Sequence, residues 1–205
     1  MKRAAVVLLL VFILSPALFA DYPYGWGIGI SGNAGLEGDS GSYGGAMSFK
    51  VPDIPIFWNV NAGYFRETAD LHTINSFWVG IAGDWLFVHR KLVPDIGLHW
   101  YAGVGGWINH YTYIFSYHNN EKYTANSEGV GLRVPIGLSL QPSSSLEIFL
   151  QAIPSIGADF RFEGKMNDGH VWHPSGTKLK YTNSSVELGV RIWLRDSWDR
   201  YEEFF

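Results

Sequence analysis

Residues 129–140 read GVGLRVPIGLSL, and every second position in this stretch is a large aliphatic residue: Val130, Leu132, Val134, Ile136, Leu138 and Leu140. The positions between them hold glycine, arginine, proline and serine. An alternation of period two is typical of a β-strand with one apolar face. Seven further stretches alternate in the same way, near residues 24–30, 43–51, 56–65, 74–87, 96–109, 146–160 and 184–194. The sequence therefore predicts eight strands.

The residues on the opposite face of each predicted strand are mostly small or polar. All charged residues within the predicted strands fall on it: Lys50, Asp84, Arg133, Glu147, Asp159, Arg161, Glu187 and Arg191. An apolar face toward lipid and a polar face toward a lumen are the pattern of a transmembrane β-barrel. Eight strands leave a lumen that side chains can fill, so we expect these balanced charges to pair and to close it. Glu147 and Arg191, at similar depth on neighbouring strands, are predicted to pair.

Composition narrows the possible classes. The 205 residues carry a formal charge of −4 and no cysteine, with only 17% charged residues. The net negative charge and the absence of any run of lysine and arginine argue against nucleic-acid binding. The lack of cysteine excludes thiol nucleophiles and cysteine-based zinc sites. A mean hydropathy of +0.01 is too low for a bundle of membrane helices. Residues 96–120 lack charged side chains, yet their glycines favour a strand over a spanning helix.

The amino terminus predicts export. A basic Met1-Lys2-Arg3, an apolar run over 4–14 and a stretch ending at Ala20 are typical of a signal peptide, and the apolar run is too short for a spanning helix. The predicted organisation is a signal peptide over 1–20, an outer-membrane β-barrel over 21–194 and a periplasmic C-terminal tail over 195–205. The tail is either a short interfacial helix or frayed. The expected location is the outer membrane of a diderm bacterium.

The links between strands alternate between short and longer ones, as in outer-membrane barrels whose short turns are periplasmic. The longer links, near 31–42, 66–73, 110–128 and 162–183, are then external. Four tryptophans near the periplasmic ends of their strands predict an aromatic girdle: Trp26, Trp58, Trp85 and Trp100. Pro135 and Pro154 lie inside strands, and we expect bulges there because proline cannot donate to the ladder.

Residues 187–194, ELGVRIWL, resemble the assembly signal on the last strand of bacterial outer-membrane proteins, with Glu187, Gly189, Ile192 and Leu194 at its defined positions. Together with the signal peptide and eight strands, the chain resembles the small eight-stranded outer-membrane barrels of the OmpX, OmpW and OmpA-transmembrane-domain type. The resemblance implies an all-β, eight-stranded antiparallel up-and-down transmembrane barrel. It also implies outer-membrane lipid and the barrel-assembly machinery as partners.

The external loops are the strongest pointer to function, since binding residues concentrate on loops held by a rigid scaffold. Aromatic and histidine side chains in the third and fourth loops are candidates for a host or extracellular ligand: Tyr111, Tyr113, Tyr117, Tyr123, His170, Trp172 and His173. Alternatively, the tyrosines only extend the barrel rim into the headgroup layer. We expect a non-enzymatic role in binding, adhesion or structure.

Two other functions stay open. An OmpW-like conduit for small hydrophobic molecules would use the apolar residues predicted to point inward: Trp78, Leu86, Trp107, Phe149 and Ile153. Lipid A acyl hydrolases and transferases share this fold, and their Ser, His and acid would come here from Asp39-Ser40, His72 and His110. Asp168, His170 and His173 have weak metal-ligand character. We predict no catalytic residue, no metal and no cofactor.

Overall fold

The computed structural model describes residues 25–36, 41–52, 54–69, 72–117, 122–166, 171–172 and 180–194. Within these ranges, the side chains at 41, 69, 72, 117, 159–166, 171–172 and 180–183 are not described. The predicted signal peptide (1–20) and tail (195–205) lie outside the described residues. Among the described residues, no helix has the length and apolarity needed to span a bilayer.

The described residues form ten β-strands and a single-turn 3₁₀ helix at Pro94–Ile96. The strands are β1 (Gly27–Gly35), β2 (Gly41–Lys50), β3 (Ile56–Ala69), β4 (His72–Val93), β5 (Leu98–Tyr117), β6 (Lys122–Arg133), β7 (Ile136–Ser143), β8 (Leu146–Met166), β9 (Val171–Trp172) and β10 (Lys180–Trp193). All pairings among them are antiparallel.

These strands build an eight-membered ring. Strands β6 and β7 are two halves of one member, because both pair with β5 on one side and with β8 on the other. The two-residue β9 only extends β8. The last strand, β10, pairs with β1 and so closes the sheet without a free edge. The predicted fold class, an all-β, eight-stranded, antiparallel up-and-down barrel, is confirmed.

The two strand prolines do not form bulges, contrary to the sequence-based expectation. Arg133 pairs with Ser155 and Ile136 with Ala152, so the register runs through Pro135 and Pro154 without a shift. Each proline still accepts a hydrogen bond through its carbonyl, from Gly103 and Val134 respectively. What is missing is the hydrogen bond that a backbone N–H at each proline position would donate back to the partner strand. This gap divides the strand into β6 and β7. Register shifts occur elsewhere, between Leu86/Val88, Lys91/Val93, Glu128/Gly129 and Leu140/Ser143.

The strands are strongly tilted. One row of successive backbone partners runs Ile30, Met47, Val60, Ile81, Ile108, Val130, Ala158 and Lys180. Ile30 pairs on its other side with Val190, so the circuit returns to β10 ten residues from its start. A stagger of this size is what closes eight strands into a barrel with a narrow interior.

The outer face of the barrel is an apolar belt. The first six side chains of that row are all exposed, as are aliphatic side chains above and below them. So many exposed large apolar side chains are compatible only with lipid around the barrel. The belt ends where the outer face of β5 and β6 becomes polar, at His110 and Glu128. One step further, Thr112 Oγ1 donates to Asn126 Oδ1 at 3.0 Å.

The barrel has two distinct ends. The base holds the start of β1, the end of β10 and the short links at 51–55, 94–97 and 144–145. The mouth is the opposite end, where strands continue beyond the belt. There the predicted third loop, 110–128, is mostly paired strand, because β5 runs to Tyr117 and β6 begins at Lys122. The outer face of this extension is polar, so it lacks the apolar alternation that marks a strand in lipid.

The four girdle tryptophans all face outward. Trp26, Trp58, Trp85 and Trp100 are exposed on the lipid-facing side. They do not share one level, since Trp85 pairs with Val104, four residues along β5 from Trp100. Trp85 therefore lies farther from the base than Trp100.

Candidate functional site

Charged side chains fill the base half of the barrel. Among the described side chains, six of those predicted to face the lumen are buried there, three of each sign: Lys50, Arg133, Arg191, Asp84, Glu147 and Glu187. We call them the base network. The side chains of Asp159 and Arg161 lie outside the described part, so their placement stays a prediction. Buried charges are tolerated only when paired and hydrogen-bonded, and the contacts of this network show how that is achieved.

Arg191 lies at the centre of the network. Its Nη1 donates to Glu147 Oε2 at 2.8 Å, the pair predicted from strand positions. The Trp193 indole donates to the same carboxylate oxygen at 3.1 Å. The guanidinium carbon also lies 4.4 Å from the ring centroid of Phe57 and 4.7 Å from that of Phe149, within cation–π range. The ring centroid of Trp193 is 5.8 Å away, so one carboxylate and three aromatic rings surround the charge.

Glu187 forms the second part of the network. Gln151 Nε2 donates to Glu187 Oε2 at 3.0 Å, and Ser31 Oγ donates to the other carboxylate oxygen at 2.5 Å. The Tyr101 hydroxyl donates to Gln151 Oε1 at 3.1 Å and extends the chain of hydrogen bonds across the lumen. Charge-assisted bonds of this kind hold side chains from four strands in one arrangement.

Asp84 and Arg133 form the third part. Arg133 Nε lies 2.9 Å from Asp84 Oδ1, and Asn59 Nδ2 donates to Asp84 Oδ2 at 3.1 Å. Lys50 is only 2% exposed and its Nζ donates to the Val51 carbonyl at 3.3 Å. The three parts together tie β1, β3, β4, β5, β6, β8 and β10 from the inside.

An aromatic and aliphatic core fills the remaining space at the base. It consists of Phe57, Leu86, Tyr101, Phe149 and Trp193, and Phe149 is only 1% exposed. The rings of Phe57 and Trp193 meet edge to face with centroids 6.2 Å apart. Leu86 and Phe149, named above as possible conduit residues, therefore belong to a packed core at the base.

The residues of the resembled assembly signal divide between the two faces of β10. Glu187 and Gly189 face the lumen, whereas Ile192 and Leu194 are exposed in the belt. The Phe149 ring approaches Gly189 so closely that a Cβ there would meet Phe149 Cζ at 2.5 Å. Packing inside the barrel thus requires the glycine of this motif.

A row of aromatic side chains lines the inner face of the mouth. Tyr111, Tyr113 and Phe115 are alternate residues of β5, and their rings stack in sequence with centroids 6.0 and 6.3 Å apart. Phe65 of β3 meets Tyr113 edge to face at 6.4 Å, and Tyr123 of β6 pairs with Phe115. We call these five residues the mouth ledge. The Tyr117 side chain is not described.

The other candidate residues are not brought together in the described structure. His110 is exposed on the outer face at the edge of the belt. Asp39, Ser40, Asp168, His170 and His173, and the side chains of His72 and Trp172, lie outside what the structure describes. Among the described residues, no three His, Asp or Glu side chains cluster in a way that could hold a metal ion.

Several contributors were not singled out from the sequence. Tyr101, Gln151 and Trp193 complete the base network, and His89 and His99 stack near the base with centroids 4.8 Å apart. The sequence signal that could have identified these residues is the alternation itself, because residues on the face opposite the lipid-facing one point into the barrel. Their neighbours around the lumen depend on the register between strands.

A comparison with one solved structure shows the same fold, and two further structures are reported beside it for their similarity alone. A major outer membrane protein from Thermus thermophilus is 10% identical, with a TM-score of 0.52 over 82% of this chain and 98% of that one. Neisserial surface protein A is 12% identical, with a TM-score of 0.47 over 82% and 96% of the two chains. The attachment invasion locus protein Ail of Yersinia pestis is 11% identical, with a TM-score of 0.36 over 82% and 97%. No curated protein matches the chain.

With the lipid-facing belt, the fold makes this protein an outer-membrane β-barrel. One family model matches residues 46–187, which span more than half of the sequence from β2 into β10. The matched range ends at Glu187 and includes every residue of the base network except Arg191. The chain therefore belongs to the family described as protein of unknown function, DUF3996.

Proposed function

We propose that the protein is a non-enzymatic outer-membrane barrel that is closed at its base and binds an extracellular ligand at its mouth. The base would face the periplasm and the mouth the exterior. The observation that carries the proposal is the contrast between the two ends. Charged and aromatic side chains pack the base, whereas the strands at the mouth extend past the belt with a stacked row of aromatic rings.

Packing at the base argues against a conduit. The base network and its aromatic core include residues from seven strands, and their side chains are buried. A solute passing through would have to break the Glu147–Arg191 contact and displace Phe149. Separating a buried ion pair leaves uncompensated charge, which costs about 3–5 kcal/mol.

The mouth ledge supports a binding role. Tyrosine and phenylalanine offer large contact area with few rotatable bonds, so little conformational entropy is lost when a ligand covers them. The rings of Tyr111, Tyr113 and Phe115 already hold one another in place by stacking. A rigid paired extension presents them beyond the lipid-facing belt, where a macromolecule can reach them.

The test displays the full chain on cells and measures adhesion to immobilised extracellular-matrix and plasma proteins. The variant F115S/Y123S removes two directly paired residues of the mouth ledge. The control I114S/T124A changes the pair beside them, whose side chains lie on the outer face. We expect the first variant to weaken adhesion about tenfold, equivalent to about 1.4 kcal/mol, and the control to leave it unchanged.

Two companion measurements check the rest of the proposal. Faster gel migration of the unheated refolded protein than of the boiled protein verifies a closed barrel in each variant. Planar-bilayer recordings are expected to show no steady conductance. Open-channel currents from the unaltered protein, or equal adhesion by F115S/Y123S and its control, would refute the closed, ligand-binding barrel.

A further inference from the structure

A recess of about 860 Å³ interrupts the lipid-facing belt on β3, β4 and β5. Gly83 and Gly106 pair with each other on the outer face and leave the floor of the recess without side chains. The Trp58 indole forms the wall nearest the base, since a Cβ on Gly83 would meet Trp58 Cζ3 at 3.2 Å. Ile81 and Ile108 stand beside the floor on the mouth side. We call this feature the outer recess.

The outer recess is open to the surrounding lipid. The large side chains that line it belong to the outer face, and they are exposed: Ile108 is 62% exposed and Ile81 54%. A ligand therefore reaches it from the membrane and does not have to enter the lumen. Hydrocarbon surrounds the belt at this depth, so the part of a ligand that fills the recess is an apolar chain.

The mouth end of the outer recess is polar. His110 and Glu128 pair with each other across β5 and β6, and both line the recess on the outer face. Side chains that are directly opposite on neighbouring strands have Cβ atoms about 4.5–5.5 Å apart, so one small headgroup can contact both. From Gly106 to His110 the recess follows β5 for about 13 Å at ~3.3 Å per residue. It thus runs from the polar edge of the belt into the hydrocarbon of one leaflet.

A second recess in the belt lacks such a polar end. It measures about 390 Å³, and its described outward side chains are all apolar, among them Trp100, Leu138 and Leu150. Both recesses can hold hydrocarbon, but of the two only the outer recess adjoins an imidazole and a carboxyl group. Apolar contact alone does not distinguish one lipid from another. The polar pair can, because lipid-specific recognition acts on the headgroup.

The polar pair fits a headgroup that carries both signs of charge. A carboxylate accepts hydrogen bonds from a primary ammonium, and an imidazole N–H donates to a phosphate oxygen. We infer that the outer recess binds one acyl chain of an aminophospholipid, with the lipid phosphate at His110 and its ammonium at Glu128. Glu128 also interacts within the chain, but a carboxylate has about four lone-pair sites and can accept from a headgroup as well.

This assignment uses described side chains alone. Arg161 pairs with Glu128 on β8, and its side chain is not described. The ammonium contact is made by Glu128 and the phosphate contact by His110, so neither requires Arg161. The outer recess lies on the outer wall of the barrel, whereas the mouth ledge lies on the inner face. Lipid binding therefore does not depend on the adhesion proposed above.

The test measures lipid retention by native mass spectrometry of the full chain refolded in detergent. Phosphatidylethanolamine and phosphatidylcholine with the same oleoyl chains serve as competing probes, because the choline ammonium is fully methylated and cannot donate a hydrogen bond. We expect one phosphatidylethanolamine per barrel, retained about tenfold more often than phosphatidylcholine. E128Q should remove that preference. The control E67Q makes the same change at the mouth end of β3, outside the outer recess.

Filling the outer recess tests the acyl-chain contact separately. In G106L the new side chain enters the recess without a clash at its Cβ, because a Cβ on Gly106 meets no atom closer than 3.5 Å. The control G32L adds the same side chain to a lipid-facing glycine outside the recess, where the nearest atom is 3.9 Å away. We expect G106L to retain about one tenth as much phosphatidylethanolamine as the unaltered barrel, and G32L to retain as much.

Three results would overturn the inference. They are equal retention of the two lipids by the unaltered barrel, equal retention of phosphatidylethanolamine by G106L and G32L, and a barrel dimer that is lost in G106L, which would make a second copy of the chain the occupant. Heat-modifiable migration first verifies that each variant is folded. F115S/Y123S changes the inner face of the mouth and is expected to retain the lipid, so failure of adhesion and failure of lipid binding are separate results.

Discussion

The Glu147–Arg191 contact is the residue-scale feature with the sharpest consequence for stability. Arg191 is surrounded by one carboxylate and by aromatic rings, so no other described acid takes over if Glu147 is neutralised. We expect E147Q to lower the free energy of unfolding by about 3 kcal/mol, because it leaves a buried guanidinium uncompensated. Urea unfolding in liposomes, followed by tryptophan fluorescence, measures the change.

The matched variant removes both charges. E147Q/R191M should destabilise the barrel less than E147Q alone, since no unpaired charge then remains inside it. If the double variant instead loses at least as much stability as the sum of the two single variants, the ion pair is not the reason for the effect.

The inner glycines give a second prediction at this scale. In G157A the new methyl group would overlap the Trp107 indole, and the ring has to move from the wall. Overpacking of this kind costs about 1–3 kcal/mol. G32A is the control, because a Cβ on that lipid-facing glycine meets no atom closer than 3.9 Å. Equal unfolding midpoints for G157A and G32A would show that Trp107 does not rest on Gly157.

The sequence predicted some residues of the base network and missed others. The alternation correctly assigned Glu147 and Arg191 to the inner face, and antiparallel counting placed them at one depth. It did not identify Trp193 as a second donor to Glu147, or Tyr101 and Gln151 as partners of Glu187. Such contacts cross the lumen, and they depend on the tilt and register of strands that are distant in sequence.

At the scale of the element, the strand prolines act through missing hydrogen bonds. Val134 donates to the Pro154 carbonyl, but Pro154 has no N–H to return. In P154A the new N–H can donate to the Val134 carbonyl, in surroundings where water is scarce. We expect a gain of about 1 kcal/mol in unfolding free energy. Amide hydrogen exchange should also show protection at position 154.

P142A is the control variant for P154A. Pro142 lies beside the register shift between Leu140 and Ser143 and pairs with no residue of β8. Removing it should leave stability unchanged or slightly lowered, because the unfolded chain gains freedom. A stabilisation of P142A equal to that of P154A would rule out the ladder explanation.

Strand positions were predictable and strand lengths were not. The eight alternating segments correspond to the eight ring members, because lipid on one side and a packed lumen on the other impose period two. Beyond the belt both faces meet water, so β5 and β6 continue to pair without that pattern. The expectation of a long third loop was wrong for this reason.

For the whole molecule, the lipid-facing belt predicts how tolerance to charge varies with depth. Ile81 lies in the middle of the belt, and Thr112 lies beyond its polar edge on the neighbouring strand. We expect I81R to lower the stability in liposomes by about 2–4 kcal/mol and T112R by about 0–1 kcal/mol. Similar losses in the two variants would mean that the belt has been placed at the wrong height.

The closure of β10 onto β1 sets the order in which the barrel can form. All other neighbours in the ring follow one another along the chain, but Gly27 can pair with Trp193 only after the chain has been made as far as β10. Until that moment the growing sheet has two unpaired edges, which a second chain could join just as well. Synthesis from the ribosome therefore cannot yield a finished barrel piece by piece. The pairing of β10 with β1 must form in one late event, and cells need some means of shielding both strand edges until it happens.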